Sequence, residues 1–287
     1  MPETTVLRVA YQGERGAFSE AAALALYGPQ AEMVPCLSFD EVFRQVQVGA
    51  CDRGLIPIEN SLAGSVHRNY DLLLQHNLYI VGETILRIEH HLIANPGVRL
   101  EDVRRIYSHP QALAQCEQTL AAMGAIELVP TYDTAGSAML IKEQGLRDAA
   151  AIASLRAADL YGMNVLRSNL EDVADNYTRF LALATEPIRP SGPSKTSLAF
   201  AGRNVPGSLF KMLSVFALRD IDLTKIESRP HRGKPWEYLF YLDFEGSLHE
   251  ERCRLAVEHL QEIAAFLRVF GSYPRAQMPN GNHHNGL

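Results

Sequence analysis

Apolar runs of strand length alternate with amphipathic segments of helical period from residue 7 to residue 184. Residues 7–10 predict a strand and Gln12-Gly13-Glu14-Arg15-Gly16 a turn. A helix is expected over 18–27, stopped by Gly28-Pro29, and another over 39–48 with Val42, Phe43 and Val46 on one stripe. A strand at 54–58, a helix at 65–75 and a longer apolar strand at 78–88 follow, the last long enough to cross between two lobes. The pattern then restarts. Residues 106–108 read as a strand end and Pro110 as a first helical residue. In that helix Leu113, Cys116, Leu120 and Met123 recur at helical spacing. Strands at 126–130, 149–153, 165–166 and 180–184 are expected, with helices at 134–143 and 154–161. Such alternation predicts an α/β fold with a largely parallel sheet flanked by helices. The units are too many for one small sheet. Two α/β lobes with a cleft between them are expected, roughly 1–80 with 168–185, and 81–167.

Glu186-Pro187-Ile188-Arg189-Pro190-Ser191-Gly192-Pro193-Ser194 breaks any regular element, so residues 186–195 are read as a linker. Beyond it the pattern changes. A strand is expected at 196–201, and Pro206-Gly207-Ser208 opens a helix with Leu209, Met212, Leu213, Phe216 and Ala217 on one face. Strands at 223–228 and 236–244 follow, then a helix capped by Ser247 with Ala256, Leu260, Ile263 and Leu267 aligned, then a strand at 269–273. This βαββαβ order over 196–275 is ferredoxin-like. Residues 276–287 read as a disordered tail.

A length of 287 residues suits two or three domains. The net charge of −6 and the absence of a dominant basic patch disfavour nucleic acid as a partner. The apolar runs fall short of the ~20 residues that span a bilayer, so no membrane partner is expected. The start of the chain lacks a secretory pattern. Cys36, Cys51, Cys116 and Cys253 have no metal-ligand spacing and are read as buried thiols of a cytoplasmic protein. His90-His91 would point to opposite faces of a strand and make a poor chelate. Neither a dinucleotide fingerprint nor a phosphate loop is present, so no cofactor and no metal are expected.

Polar clusters abut the strands at two places. Pro57-Ile58-Glu59-Asn60-Ser61 ends one, and Asn176-Tyr177-Thr178-Arg179-Phe180 opens another. Strand ends are where open α/β sheets place ligand sites. Asn60, Ser61, Ser108 and Gln115 are neutral groups that could hold carboxylates or a leaving oxygen. Gln115 shares a helix face with Gln111, and both could equally be solvated. Glu59 is either an outward charge or a carboxylate that orients Asn60. The turns into the helices at 65 and 134 present N–H groups to an anion; Ser65, Thr134 and Gly136 are candidates there, with plain N-capping the alternative. Arg179 either clamps a carboxylate or pairs with Asp175. Thr178, from its surroundings alone, is a strand-start threonine bonding the backbone. Gly13 and Gly16 permit a tight turn, and His109 is either a fixed hydrogen-bonding residue or a titrating one.

Taken in order, the motifs are similar to those of a known family. Gly13-Glu14-Arg15-Gly16-Ala17-Phe18-Ser19-Glu20, Pro57-Ile58-Glu59-Asn60-Ser61-Leu62-Ala63-Gly64-Ser65-Val66, Tyr107-Ser108-His109-Pro110-Gln111-Ala112-Leu113-Ala114-Gln115-Cys116, Asp133-Thr134-Ala135-Gly136-Ser137-Ala138 and Thr178-Arg179-Phe180 resemble the signatures of the prephenate dehydratase family. Pro206-Gly207-Ser208-Leu209 and Glu227-Ser228-Arg229-Pro230 resemble the effector motifs of its C-terminal ACT domain. Ser208-Leu209-Phe210 stands where many members have Ala-Leu-Val, which keeps a small, apolar helix start. The resemblance covers about residues 6–275. It implies a two-lobed catalytic domain of the type II periplasmic-binding-protein kind over 1–185 and an ACT domain over 196–275. It also implies decarboxylating dehydration of prephenate to phenylpyruvate, in the monofunctional form.

By that resemblance Thr178 donates a proton to the leaving hydroxyl, in a catalytic set with Asn60, Ser61, Glu59, Gln115 and Ser108. Ser65, Thr134, Arg179, Phe180 and Gly136 then meet the substrate. L-phenylalanine is the implied effector, held by Pro206, Gly207, Ser208, Leu209, Glu227, Ser228, Arg229 and Pro230 between two ACT domains of a homodimer or homotetramer. Two other readings remain: an arogenate dehydratase, and, from another class, a non-catalytic amino-acid or small-molecule sensor.

Overall fold

The computed structural model describes residues 6–203, 205–230 and 238–279. The chain divides into two compact units. The first runs to Asn69, resumes at Thr84 and continues to Phe180; the second holds Tyr70–Glu83 and Leu181–Gln277.

In the first unit β1 (Arg8–Gln12), α1 (Phe18–Tyr27), β2 (Glu32–Cys36), α2 (Phe39–Gln47) and β3 (Arg53–Asn60) form a parallel start. The short β4 (Gly64–Ser65) pairs back on β3, and α3 (His67–Gln75) and β5 (Tyr79–Arg87) follow. With β11 (Tyr177–Ala184) the sheet order is β2-β1-β3-β11-β5. The α2 stripe of Val42, Phe43 and Val46 is fully buried, as are Val9, Leu55 and Ile56 of the strands. Ser38 caps α2 by accepting the Glu41 N–H at 3.2 Å.

The second sheet is built from β6 (His91–Ala94), β7 (Arg105–Ser108), β8 (Glu127–Pro130), β9 (Ala149–Ala153) and β10 (Asn164–Arg167), in the order β10-β6-β9-β7-β8. Its helices are α4 (Pro110–Gln115), α5 (Glu117–Ala121), α6 (Thr134–Glu143) and α7 (Leu155–Tyr161). Every residue of β9 is buried, with Ala149, Ala151 and Ala153 in one core and Ala150 and Ile152 in another. A central strand covered on both faces is expected to read as such a continuous apolar run. Taken from one edge, each sheet follows the order 2-1-3-n-4, in which n is a strand entering from outside the local series. That order is the type II periplasmic-binding-protein arrangement.

Several expectations need correction. The second sheet is mixed rather than largely parallel, because β6 runs antiparallel to β9 and β10 to β6. β2 is additional to the expected strands: Pro35 interrupts its pattern, which is tolerable only on an edge strand. β6 is likewise additional. The helix expected to run from 110 past 120 is two helices broken at Cys116. The cause is distant in sequence. Asp172 accepts the N–H groups of Gln118 and Thr119 at 2.9 and 3.0 Å, capping α5, while its own N–H donates to the Gln115 carbonyl. The helix expected from 65 starts at His67, because Ser65 pairs with Glu59 in β4.

The second unit carries β12 (Ser194–Ala201), α8 (Ser208–Ala217), β13 (Leu223–Pro230), β14 (Tyr238–Glu245), α9 (Glu251–Ile263) and β15 (Phe266–Pro274). The strands form an antiparallel sheet in the order β13-β14-β12-β15. This is the ferredoxin-like arrangement, with a core of Leu198, Phe200, Phe216, Leu242, Phe244 and Leu260. Residues 236 and 237 of the expected 236–244 strand lie outside the described residues. Ser247 does not cap α9; Glu250 holds that position, and its carboxylate accepts the Ser247 N–H at 2.8 Å.

The segment Tyr70–Glu83, which takes in most of α3 and the start of β5, belongs to this second unit, whereas residues 70–80 are expected in the first lobe and 81–83 in the other. Glu83 is buried, pairs with Lys195 at 3.1 Å and accepts the Ala276 N–H at 2.9 Å. Tyr241 Oη donates to the Tyr70 carbonyl at 2.9 Å and Arg268 to the Leu74 carbonyl at 2.8 Å. Gly271, at φ 147°, passes so close to Ile80 that a Cβ would stand 2.5 Å from its carbonyl oxygen. Of the expected tail, 276–279 are described, and 280–287 lie outside the described residues.

Candidate active site

A cavity of about 340 Å³ opens in the first unit. Phe18, Phe39, Ile88 and Phe180 supply an apolar side, and Asn60, Thr178, Gln115, His90, His109 and Thr134 a polar one. A planar ring with charged or hydroxyl substituents suits such a division.

The polar side is organised from the end of β3. Asn60 Oδ1 accepts the backbone N–H groups of Leu62 and Ala63 at 3.1 and 2.9 Å. Nδ2 therefore faces the other way, donating to Asn176 Oδ1 at 2.8 Å and Thr178 Oγ1 at 2.9 Å. Asn176, oriented by that bond, turns its Nδ2 to Gln115 Oε1 at 3.0 Å. The same oxygen meets His90 Nε2 at 2.9 Å. An amide oxygen only accepts, so His90 Nε2 carries hydrogen. The amide orientations are assigned from this chain of bonds. This chain of bonds leaves two of its own donors for the cavity: the Thr178 hydroxyl hydrogen, whose oxygen is already an acceptor, and the Gln115 Nε2 amide. Thr178 is 8% exposed, so little water competes for its hydrogen.

Burial pushes titratable groups of the cavity towards their neutral forms. Burial lowers the His90 pKa, partly offset by the Gln115 bond, and burial likewise lowers that of His109. His109 caps α4, its Nδ1 accepting the Gln111 N–H at 3.2 Å. Burial raises the Asp133 carboxyl, against the pull of the Glu14 and Ala135 N–H groups it accepts. Asp133 also caps α6, tying the turn after β1 to that helix. Tyr132 donates to Glu14 Oε1 at 3.0 Å. Among the described residues no lysine or arginine lines the cavity.

The cavity thus gathers Asn60, Gln115, Thr134, Thr178 and Phe180 from the expected set. The others fall elsewhere. Ser108 is fully buried and donates to the Ile152 carbonyl at 2.7 Å, a bond between neighbouring strands. Ser61 stitches two segments together: its Oγ donates to the Asp175 carbonyl and accepts the Tyr177 N–H. Glu59 and Arg179 alternate with Asn60 and Thr178 along their strands, and neither lines the cavity. Ser65 is held in β4 and is likewise absent from the lining. Gly136 acts indirectly: a Cβ there would lie 2.6 Å from Tyr132 Oη, so the glycine makes room for that ring. The sequence pattern assigns no role to His90, Asn176, Tyr132 or Asp133. Asn176 and Asp133 lie inside the polar motifs; His90 carries no signal, because its partner is 25 positions away.

In the second unit a cavity of about 230 Å³ lies at the start of α8, lined by Gly207, Ser208, Leu209, Arg203, Phe210 and Tyr238 among others. Gly207 adopts φ 75° as the N-cap, a conformation that favours glycine. Pro206 is adjacent but outside the lining. Glu227, Ser228, Arg229 and Pro230 lie along β13 and do not line this cavity; Arg229 pairs with Asp71 at 3.5 Å.

A two-sheet fold with a cavity of neutral donors, joined to a ferredoxin-like unit, is the architecture of two-lobed proteins that hold a small molecule. The model of the prephenate dehydratase family matches residues 9–188, and the chain belongs to that family. It is a lyase, a dehydratase of prephenate or of its arogenate counterpart. "Arogenate dehydratase/prephenate dehydratase 2, chloroplastic" of Arabidopsis thaliana is 54% identical over 279 residues, 93% of this chain and 73% of that protein. A solved prephenate dehydratase from Arthrobacter aurescens, in complex with L-Phe, shares 32% identity and a TM-score of 0.86 over 94% of this chain and 90% of that one. GqqA, described as a novel type of quorum quenching acylase, shares 34% identity and a TM-score of 0.84 over 93% and 97%. The expectation of a cytoplasmic protein is overturned by these relatives, since the Arabidopsis enzyme and others like it are named chloroplastic. No helix of the described residues is long and apolar enough to cross a membrane, and no group of three metal-binding side chains occurs among them.

Proposed function

We propose that the cavity of the first unit carries out the decarboxylating dehydration, with Thr178 assisting departure of the ring hydroxyl. The bond from the ring to its carboxylate breaks, releasing carbon dioxide. Its electron pair enters the ring, the C–O bond breaks, and the leaving oxygen takes a proton to become water. Aromatisation drives the step. The observation that carries the reading is the bond from Asn60 Nδ2 to Thr178 Oγ1, which leaves the threonine hydrogen to point at a leaving oxygen. Such assistance is worth about 10²–10⁴-fold. Gln115 Nε2 supplies a donor to a carboxylate. The lack of a guanidinium among the described lining residues fits the chemistry. A cation clamped on the departing carboxylate would stabilise the ground state more than the transition state.

The same lining favours arogenate over prephenate. Arogenate carries an ammonium beside its two carboxylates, so it enters a cavity whose described lining holds Asp133 and no lysine or arginine with less net negative charge. We therefore read the enzyme as accepting both, with the larger kcat/KM on arogenate. Turnover of each compound by wild type and Thr178→Val tests both statements. A variant that folds but loses less than about tenfold in kcat would remove Thr178 from the chemistry; a larger kcat/KM on prephenate would reverse the preference.

Residues 1–185 are proposed as the catalytic domain and 196–275 as an ACT domain that senses L-phenylalanine for feedback inhibition. Because Gly207, Ser208 and Leu209 line a cavity that Glu227–Pro230 do not reach, the two motifs are proposed to meet between two copies of the chain, in a homodimer or homotetramer. Phenylalanine binding by calorimetry, with mass measured by light scattering, tests this; a monomer that binds phenylalanine at full strength would refute it.

A further inference from the structure

The hydrogen-bond chain of the cavity has two ends. One is the pair of backbone N–H groups of Leu62 and Ala63 held by Asn60. The other is His90, a residue outside every motif that pointed to the site. Its main chain is clamped on both sides, its N–H donating to Glu171 Oε2 at 2.9 Å and its carbonyl accepting the Leu170 N–H at 2.8 Å. The side chain lines the cavity and is 2% exposed; Phe18 meets it edge-on with ring centroids 5.5 Å apart. Its Nε2–H donates to Gln115, and among the described residues its buried Nδ1 has no partner.

A buried acceptor without a donor weakens a fold. A phenylalanine or methionine would fill the same space without that cost. What the imidazole adds is one N–H directed at Gln115 Oε1. Two donors converge on that oxygen, from His90 and from Asn176. Together they keep the Gln115 oxygen inward and turn its Nε2 amide towards the cavity. With one donor gone, a single bond resists rotation of the amide.

We propose that His90 is a positioning residue: its Nε2–H locks Gln115 with the amide nitrogen facing the substrate, and through Asn176 and Asn60 it helps hold the Thr178 hydroxyl. This rests on the cavity being the catalytic site proposed above. The charged and titratable groups facing the imidazole are Glu171 and His91. Neither supplies a bond to the ring that substitutes for the Gln115 contact.

Two substitutions separate positioning from packing. His90→Phe keeps the ring volume and removes the donor. His90→Gln keeps a nitrogen donor at comparable reach. His90→Phe is expected to lower kcat at least tenfold with an unchanged or higher Tm, and His90→Gln to recover activity to within about threefold of wild type. In a Gln115→Leu background, adding His90→Phe is expected to change kcat less than twofold, because the lock has nothing left to hold. Full activity of His90→Phe, no recovery in His90→Gln, or an undiminished effect in the Gln115→Leu background would each overturn the proposal. Long-range 1H–15N spectra of the wild type test it without turnover: the Nε2–H tautomer of His90 is expected at neutral pH, and an Nδ1–H tautomer would sink it. Thr178→Val in the same assay reports on the site itself, so a failed lock and a misplaced active site give different patterns.

Discussion

Asn60→Asp is the sharpest perturbation of this site, because it changes two hydrogens and almost no volume. The new Oδ1 still accepts the Leu62 and Ala63 N–H groups. Where Nδ2 donated, an acceptor now faces three others: Asn176 Oδ1, Thr178 Oγ1 and the Tyr177 carbonyl. Thr178 can rotate and donate its hydrogen to the new carboxylate, which rescues that bond but withdraws the hydrogen from the cavity. Asn176 cannot rotate in the same way, since its oxygen would then face Gln115 Oε1. The cost is therefore at least one buried acceptor without a donor, at about 1–3 kcal/mol, plus a carboxylate buried at a position only 6% exposed. A total of about 2–4 kcal/mol is expected, which lowers Tm by about 5–15 °C at the usual ratio for units of this size. The loss of kcat should reach about 10²-fold, the value of general acid assistance. Burial raises the pKa of the introduced carboxyl. Between its unfolded value near ~4 and the raised folded one, the native state binds more protons, so the variant loses stability as pH rises through that window. Thermal unfolding from pH 4.5 to 8 should show the variant approaching wild type only at the acid end. A variant as stable as wild type at pH 7, or one that turns over within about tenfold of it, would refute the polarity assigned to the chain of bonds.

Asp133→Asn should lower Tm at pH 7, because Oδ2 and Oδ1 accept the Glu14 and Ala135 N–H groups and the amide nitrogen leaves one of those donors unpaired, a cost of about 1–3 kcal/mol. The deficit should narrow as pH rises. Burial raises the folded pKa of Asp133, so the native wild type binds more protons above the usual carboxylate value and its stability falls as pH rises. A deficit that grows with pH in the variant would contradict this. Gly136→Ala places a methyl 2.6 Å from Tyr132 Oη and should displace that ring from Glu14, raising KM more than it lowers kcat, with a stability loss of about 1–2 kcal/mol; steady-state kinetics decide. Gly271→Ala meets the Ile80 carbonyl oxygen at 2.5 Å with φ at 147° and should destabilise the second unit by about 1–3 kcal/mol, read by denaturant unfolding, while leaving the cavity of the first unit untouched.

The elements whose signal is local are legible in the amino-acid sequence alone. The helices at Phe18–Tyr27 and Thr134–Glu143 and the strand Ala149–Ala153 carry their periodicity and stop signals within a few residues, and they fall where the pattern places them. The family and the ferredoxin-like order of the second unit are equally legible, because ordered motifs and element order are properties of the chain itself. What only the tertiary structure decided is which polar groups face one another. Ser108 turns to the Ile152 carbonyl, Arg179 and Glu59 fall on the alternate sides of strands whose inner side carries Thr178 and Asn60, and the break at Cys116 depends on Asp172. His90 enters the site through Gln115, and Asn176 through Asn60, 116 positions away. A hydrogen bond depends on distance and on which atom holds the hydrogen, and neither is encoded by neighbours in sequence. Once the strands bring these side chains together, two backbone N–H groups at Asn60 set the direction of every bond as far as His90.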